Sequence, residues 1–213
     1  MAKREERAVA IPLLGDEGAA GEVLEGLFIA GEGAAGAVIA PPHPLYGGSM
    51  DSPVVSELAW ACAKAGLASL RFNWRGVGAS SGVASGDARA AGADYAAALA
   101  QLARSIPGRV VAAGYSFGAA AAARAAAGQP RVDRLVLVAP PPQLLDVGAL
   151  REEGREVLLL TGAHDAIAPS AALAALVEAL AGARLVTIDE ADHFFGAGLA
   201  ELGAEVAAWL KER

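Results

Sequence analysis

The residues Gly114-Tyr115-Ser116-Phe117-Gly118 end a β-branched, apolar run that begins at Val110, and an alanine-rich segment follows at once to Gly128. Strand, tight turn and helix with a serine at the apex is the arrangement of a nucleophile elbow. The turn is sharp enough that side chains at 114 and 118 would strike neighbouring backbone, which is why glycine stands at both. The serine hydroxyl is pushed out over the end of the strand, beside the unpaired N–H groups of a helix start, which favour negative charge.

A serine hydroxyl attacks carbonyl carbon only when a base removes its proton, and that base is usually a histidine held by a carboxylate. The chain has three histidines. His43 follows an apolar run at Ala37–Ala40, His164 follows Glu156–Thr161, and His193 follows Arg184–Ile188. Serine hydrolases built on an open sheet carry Ser, then Asp or Glu, then His along the chain. Ser116, Asp165 and His193 satisfy that order, with Asp189 and Asp192 as competing carboxylates. Asp165 is expected to orient the His193 ring, and His193 to act as base and then acid. His164 reads as an exposed loop residue.

The oxyanion of an acyl-transfer intermediate needs two N–H donors. The backbone N–H of Phe117, directly after the serine, is one. The other is expected from His43-Pro44-Leu45-Tyr46-Gly47-Gly48, where Pro44 has no N–H to give. Leu45 is the expected donor and Tyr46 the alternative, with His43 shaping the loop by hydrogen bonding. Tyr46, Tyr115 and Phe194 are expected to line the substrate pocket, and Phe195 to help roof it.

Elements that could bring these residues together are legible as alternating strands and helices from Val38 on. Continuous apolar strands of this kind mark a parallel sheet covered on both faces. Strands are expected at Ala37–Ala40, Leu67–Trp74, Val110–Tyr115, Val132–Ala139, Glu156–Thr161 and Arg184–Ile188. Helices are expected at Pro53–Ala65, Asp87–Ser105, Ser116–Ala127 and Ser170–Ala181, with a closing helix ending near Leu210. Arg7–Leu14 and Val23–Ala30 read as an antiparallel pair joined by a turn-rich link at residues 15–22. In such a sheet ligands bind at the carboxyl ends of strands, where Ser116 and all three histidines fall.

Gly31, Gly33 and Gly36 match the GxGxxG spacing of a dinucleotide site, but a short apolar strand and two prolines follow instead of a helix. They read as a loop between strands. No HExxH and no Cys/His cluster points to a metal, and no cofactor is expected. The 213 residues, 54% of them apolar, suit one domain spanning residues 1–213. A net charge of −7 without a basic patch argues against nucleic acid. No apolar run is long enough for a membrane span, the charged opening does not suit a leader, and the lone Cys62 cannot form an internal disulfide. A cytoplasmic monomer or homodimer acting on a small-molecule ester, without a membrane partner, is the expectation.

Taken together, PPHPLYGGSMD, RFNWRGVGASSG, GYSFGA, GAHDAIAP and ADHFF resemble the α/β-hydrolase superfamily. More narrowly they are similar to small bacterial esterases and dienelactone-hydrolase-like proteins with HPHPxxGGTMD-type and RFNFRGVGxSxG-type loops. A proline stands where the first pattern has its opening histidine, and Ser49 where it has threonine. The resemblance implies a mostly parallel central sheet with helices on both faces, a Ser-Asp-His triad, and carboxylic-ester hydrolysis without cofactor. Some fifteen residues between the strands at 132–139 and 156–161 are too few for a cap domain. The site is therefore expected to be open and to favour short acyl chains. The alternatives are a thioesterase or peptidase-type acyl hydrolase, and a non-catalytic scaffold on the same fold.

Overall fold

The computed structural model describes residues 5–13 and 21–212. Its strands are β1 (Glu6–Pro12), β2 (Val23–Ile29), β3 (Gly36–Ala40), β4 (Ala68–Phe72), β5 (Val110–Tyr115), β6 (Val132–Val138), β7 (Glu156–Gly162) and β8 (Ala183–Ile188). Its helices are α1 (Pro53–Lys64), α2 (Ala88–Ser105), α3 (Phe117–Ala126), α4 (Val147–Glu153), α5 (Ser170–Glu178) and α6 (Leu199–Lys211). The expected opening pair is antiparallel, from Glu6 opposite Ile29 to Pro12 opposite Val23. Residues 14–20, most of the expected link between them, lie outside the described residues.

The strands form one eight-stranded sheet in the order β1-β2-β4-β3-β5-β6-β7-β8. β2 runs antiparallel to both its neighbours, and every other pair is parallel. β3, β4, β5 and β6 are buried almost throughout, as strands covered on both faces must be. α1 and α6 pack on each other over one face, and α2 and α3 over the other. Alanine sets how close they come: Ala119, Ala120, Ala121, Ala122 and Ala126 of α3 are all buried. Bulk comes from the strands, where Leu135, Leu137, Leu158 and Leu160 are fully buried, each contributing about 1.5–3 kcal/mol relative to exposure.

The order of β4, β3 and β5 positions the site. From β3 the chain crosses through α1 to β4 on one side, then returns through α2 to β5 on the other. The loops after β3 and β5 leave in different directions, and a crevice opens between them at the carboxyl ends of the strands. Ala40 and Gly114, the last paired residues of β3 and β5, lie side by side. β3 begins at Gly36, so no helix opens on the glycine cluster at 31–36, and no helix N-terminus stands there to receive a pyrophosphate.

Residues 139–155, between β6 and β7, hold a 3₁₀ turn at Pro142–Leu144 and the short α4, with no cap domain. Among the described residues, no helix is long and apolar enough to cross a membrane.

Candidate active site

Ser116 sits between β5 and α3 at φ 55 and ψ −120. A side chain there strains the backbone by roughly 1–3 kcal/mol, and surrounding bonds must hold it. The Ser116 N–H donates to the Val138 carbonyl of β6 at 2.8 Å, and its carbonyl accepts from Ala119 N–H at 3.0 Å. A Cβ at Gly114 would fall on the Gly118 carbonyl, and one at Gly118 on the Pro41 carbonyl. The two glycines thus permit the turn and also bring α3 against the loop after β3.

β7 and β8 deliver the other two residues. The Ser116 Oγ lies 3.0 Å from His193 Nε2, and His193 Nδ1 lies 2.8 Å from Asp165 Oδ2. All three residues are buried at 5–9% exposure. The second Asp165 oxygen accepts the N–H groups of Ile167 at 2.8 Å and Ala168 at 2.7 Å. Burial alone would raise the Asp165 carboxyl. The His193 hydrogen bond and charge, with the Ala168 and Ile167 N–H groups, outweigh it and hold the group below the usual carboxylate range. An ionised carboxylate only accepts, so Nδ1 carries the proton and Nε2 presents its lone pair to the serine. That tautomer can take the hydroxyl proton.

The competing carboxylates are placed elsewhere. Asp192 is exposed and caps its own turn, accepting Phe194 N–H at 2.9 Å. Asp189 and His164 are exposed. Among the described residues no group of three or more His, Cys, Asp or Glu is placed to hold a metal ion.

Three expectations about this site need correction. Tyr115 does not line a pocket. It is 4% exposed, its ring lies 5.7 Å from that of His193 and 6.4 Å from that of Phe195, and its hydroxyl donates to the His193 carbonyl at 2.8 Å. It therefore supports the imidazole from behind. Phe195 is not a roof residue either: at φ 53 and 2% exposure it is turned into the core. The Leu45 N–H is taken up within its own turn, donating to His43 Nδ1 at 3.2 Å, because the His43 ring folds back as the cap of the 3₁₀ turn Pro44–Tyr46. His43 thus shapes the loop by hydrogen bonding. Its ring lies 4.7 Å from both Tyr46 and Phe117, and burial lowers its pKa.

Phe117 is the first residue of α3, so its N–H has no partner within the helix. Tyr46 and Phe194 stand 86% and 72% exposed, Tyr46 against His43 and Phe194 edge-on to His193 at 5.6 Å. Two supporting residues carry no signal in the sequence. Thr161, fully buried, donates from Oγ1 to the Ala168 carbonyl at 2.6 Å and so braces the turn that holds Asp165. Tyr115 gave no cue that its hydroxyl would reach across 78 residues.

Replacing Tyr115 with Phe should lower kcat/KM about 3- to 10-fold and stability by about 1 kcal/mol, the worth of one buried hydrogen bond. Steady-state kinetics and thermal unfolding check both. No change in either would show that the bond to the His193 carbonyl does not matter.

Comparison with known proteins bears on this geometry. The family model described as serine aminopeptidase, S33, matches residues 45–147, just under half the chain. An α/β serine hydrolase homologue from Coxiella burnetii superposes with a TM-score of 0.84 at 28% identity, covering 99% of both chains. These likenesses support the α/β-hydrolase superfamily, whose fold the chain shares. An α/β serine hydrolase of Xanthomonas campestris, described as lacking a lid, superposes with a TM-score of 0.81 at 27% identity, covering 98% of this chain and 97% of its own. An uncharacterised protein of Rickettsia prowazekii is 29% identical over 170 residues, 75% of this chain and 71% of its own. The relatives support hydrolase activity at the level of reaction class.

Proposed function

We propose that the protein hydrolyses carboxylic esters of small or short-chain acids through an acyl-enzyme on Ser116. The observation that carries this reading is the continuous line Ser116 Oγ–His193–Asp165, with each contact at hydrogen-bond distance. His193 takes the serine proton as Oγ attacks the ester carbonyl carbon. The resulting oxyanion is held by the Phe117 N–H and by a second donor from the loop after β3. The imidazolium returns its proton to the leaving alcohol oxygen as the carbon–oxygen bond breaks. Water then adds to the acyl-enzyme, giving its proton to His193, and collapse releases the acid and restores the serine hydroxyl.

The lack of a cap domain and the exposed apolar side chains of Leu45, Tyr46, Ile167 and Phe194 support an open site. Such a rim can cover a short acyl chain or one ring, but not bury a long lipid. With p-nitrophenyl esters from acetate to palmitate, kcat/KM should be highest between two and about six acyl carbons. A maximum at palmitate would sink the open-site reading. The description of the matching family keeps a second reading in play, cleavage of a small amide by the same groups. A p-nitroanilide turned over faster than the matched ester would favour it. Labelling by a fluorophosphonate, one equivalent per chain, distinguishes either reading from a non-catalytic scaffold.

The reading places the protein in the cytoplasm. Its single cysteine accords with this: Cys62 is buried, and burial pushes its thiol up to about 12, so it is an inert packing residue.

A further inference from the structure

The loop after β3 is poor in N–H groups. Pro41, Pro42 and Pro44 have none, Leu45 donates to the His43 ring, and Tyr46 and Gly48 both donate to the His43 carbonyl at 3.1 Å. Gly47 lies at the exposed tip of the turn, at φ 78. The His43 N–H meets no acceptor among the described residues, and the other N–H in the same position, that of Ser49, lies beyond the turn. His43 also packs directly on Phe117, whose own N–H follows the serine.

The carbonyl of the same peptide unit is gripped from the other side. Trp74, 2% exposed just past β4, donates its indole N–H to the Pro42 carbonyl at 2.9 Å and to the Pro41 carbonyl at 3.2 Å. Its ring stands edge-on to that of Phe117 at 5.7 Å. A trans peptide is planar, with C=O and N–H pointing opposite ways. A donor bound to the Pro42 oxygen therefore fixes where the His43 N–H points, away from the indole. The same bond withdraws electrons through the amide and makes that N–H a stronger donor.

We propose that the His43 N–H is the second oxyanion donor and that Trp74 is the positioning residue that aims and polarises it. One side chain thus supports both arms of the hole, the Pro42–His43 peptide through its N–H and Phe117 through its ring. The proposal rests on acyl chemistry at Ser116, and it goes further by assigning a residue 32 positions beyond Pro42 to stabilisation of the transition state.

The test replaces Trp74 by Phe and, separately, by β-(3-benzothienyl)alanine, which keeps the indole's shape but puts sulfur where the N–H was. Readouts are kcat and KM for p-nitrophenyl acetate, Ki for a trifluoromethyl ketone that forms a tetrahedral adduct, fluorophosphonate labelling, and thermal unfolding. Losing an oxyanion donor outright costs about 10²–10³-fold in kcat, and losing its alignment should cost about 10-fold or more. The expected result is that fall in kcat, with KM within about twofold and Ki for the ketone rising by the same factor as kcat falls. The benzothienyl variant carries the test if Trp74→Phe does not fold. Folded variants with unchanged kcat and Ki overturn the role, as does a loss confined to KM. If the wild type neither labels nor turns over ester, the acyl chemistry itself fails and Trp74 has no oxyanion to serve.

Discussion

Ser116→Ala should abolish fluorophosphonate labelling and lower ester kcat by about 10⁶-fold while the protein stays folded. The size follows from how the three groups work together. Without Oγ no acyl-enzyme forms, and His193 and Asp165 have nothing to activate, so nearly the whole effect of the triad is lost in one step. Stability should change by no more than about 1 kcal/mol, because alanine keeps the Cβ at φ 55 and forfeits only the Oγ–Nε2 contact. The two readouts separate chemistry from folding. Thermal unfolding near that of wild type with labelling and turnover gone assigns the loss to the hydroxyl. Retained labelling of Ser116→Ala would place the nucleophile elsewhere and overturn the assignment.

Asp165→Asn should lower kcat by about 10⁴-fold with the backbone intact. The geometry dictates why. The N–H groups of Ile167 and Ala168 converge on one side-chain oxygen of residue 165, and an asparagine carbonyl can still accept both. The amide NH₂ is then left facing His193 Nδ1. It can only donate there, so Nδ1 must be the bare nitrogen and Nε2 must carry the proton, pointing at Ser116 Oγ. The base is present, at the right distance, in the wrong tautomer.

The same substitution has a signature in stability against pH. The native Asp165 carboxyl lies below its unfolded value, so its contribution to stability is fully present above the ordinary carboxylate range and is lost as pH falls through the lowered native value. Wild type should therefore exceed Asp165→Asn in stability at pH 7, and the gap should shrink as the medium approaches pH 3. Urea midpoints at the two pH values check this. A constant gap would mean that Asp165 is not held as a carboxylate by these bonds.

How much of this site could be read in the chain depended on how local each part is. The elbow is spelled out within one contiguous stretch, since strand, glycine-flanked turn and helix all lie between Val110 and Ala126. Asp165 and His193 are distant from it, yet the alternation of strands and helices already puts both at strand ends on the same edge of a parallel sheet. Leu45 was misassigned because counting N–H groups along a loop does not show where a side chain turns. Whether the His43 ring points outward or folds back over Leu45 is settled by Phe117 and by the close approach of Gly86, and neither is nearby in sequence.

Tyr115 shows the same limit from another side. Being next to the serine placed it at the site, but the sharp turn sends successive side chains in different directions, and the one at 115 goes beneath His193.

By itself the sequence determined the reaction chemistry on offer and the sheet that carries it, because strand pattern, turn glycines and chain order are properties of short segments. The tertiary structure alone decided which hydrogen-bonding groups remain free for a substrate. A backbone N–H is available only when nothing else accepts from it, and its possible acceptors, like the Trp74 donor on the Pro42 carbonyl, come from parts of the chain that meet only when the sheet is assembled.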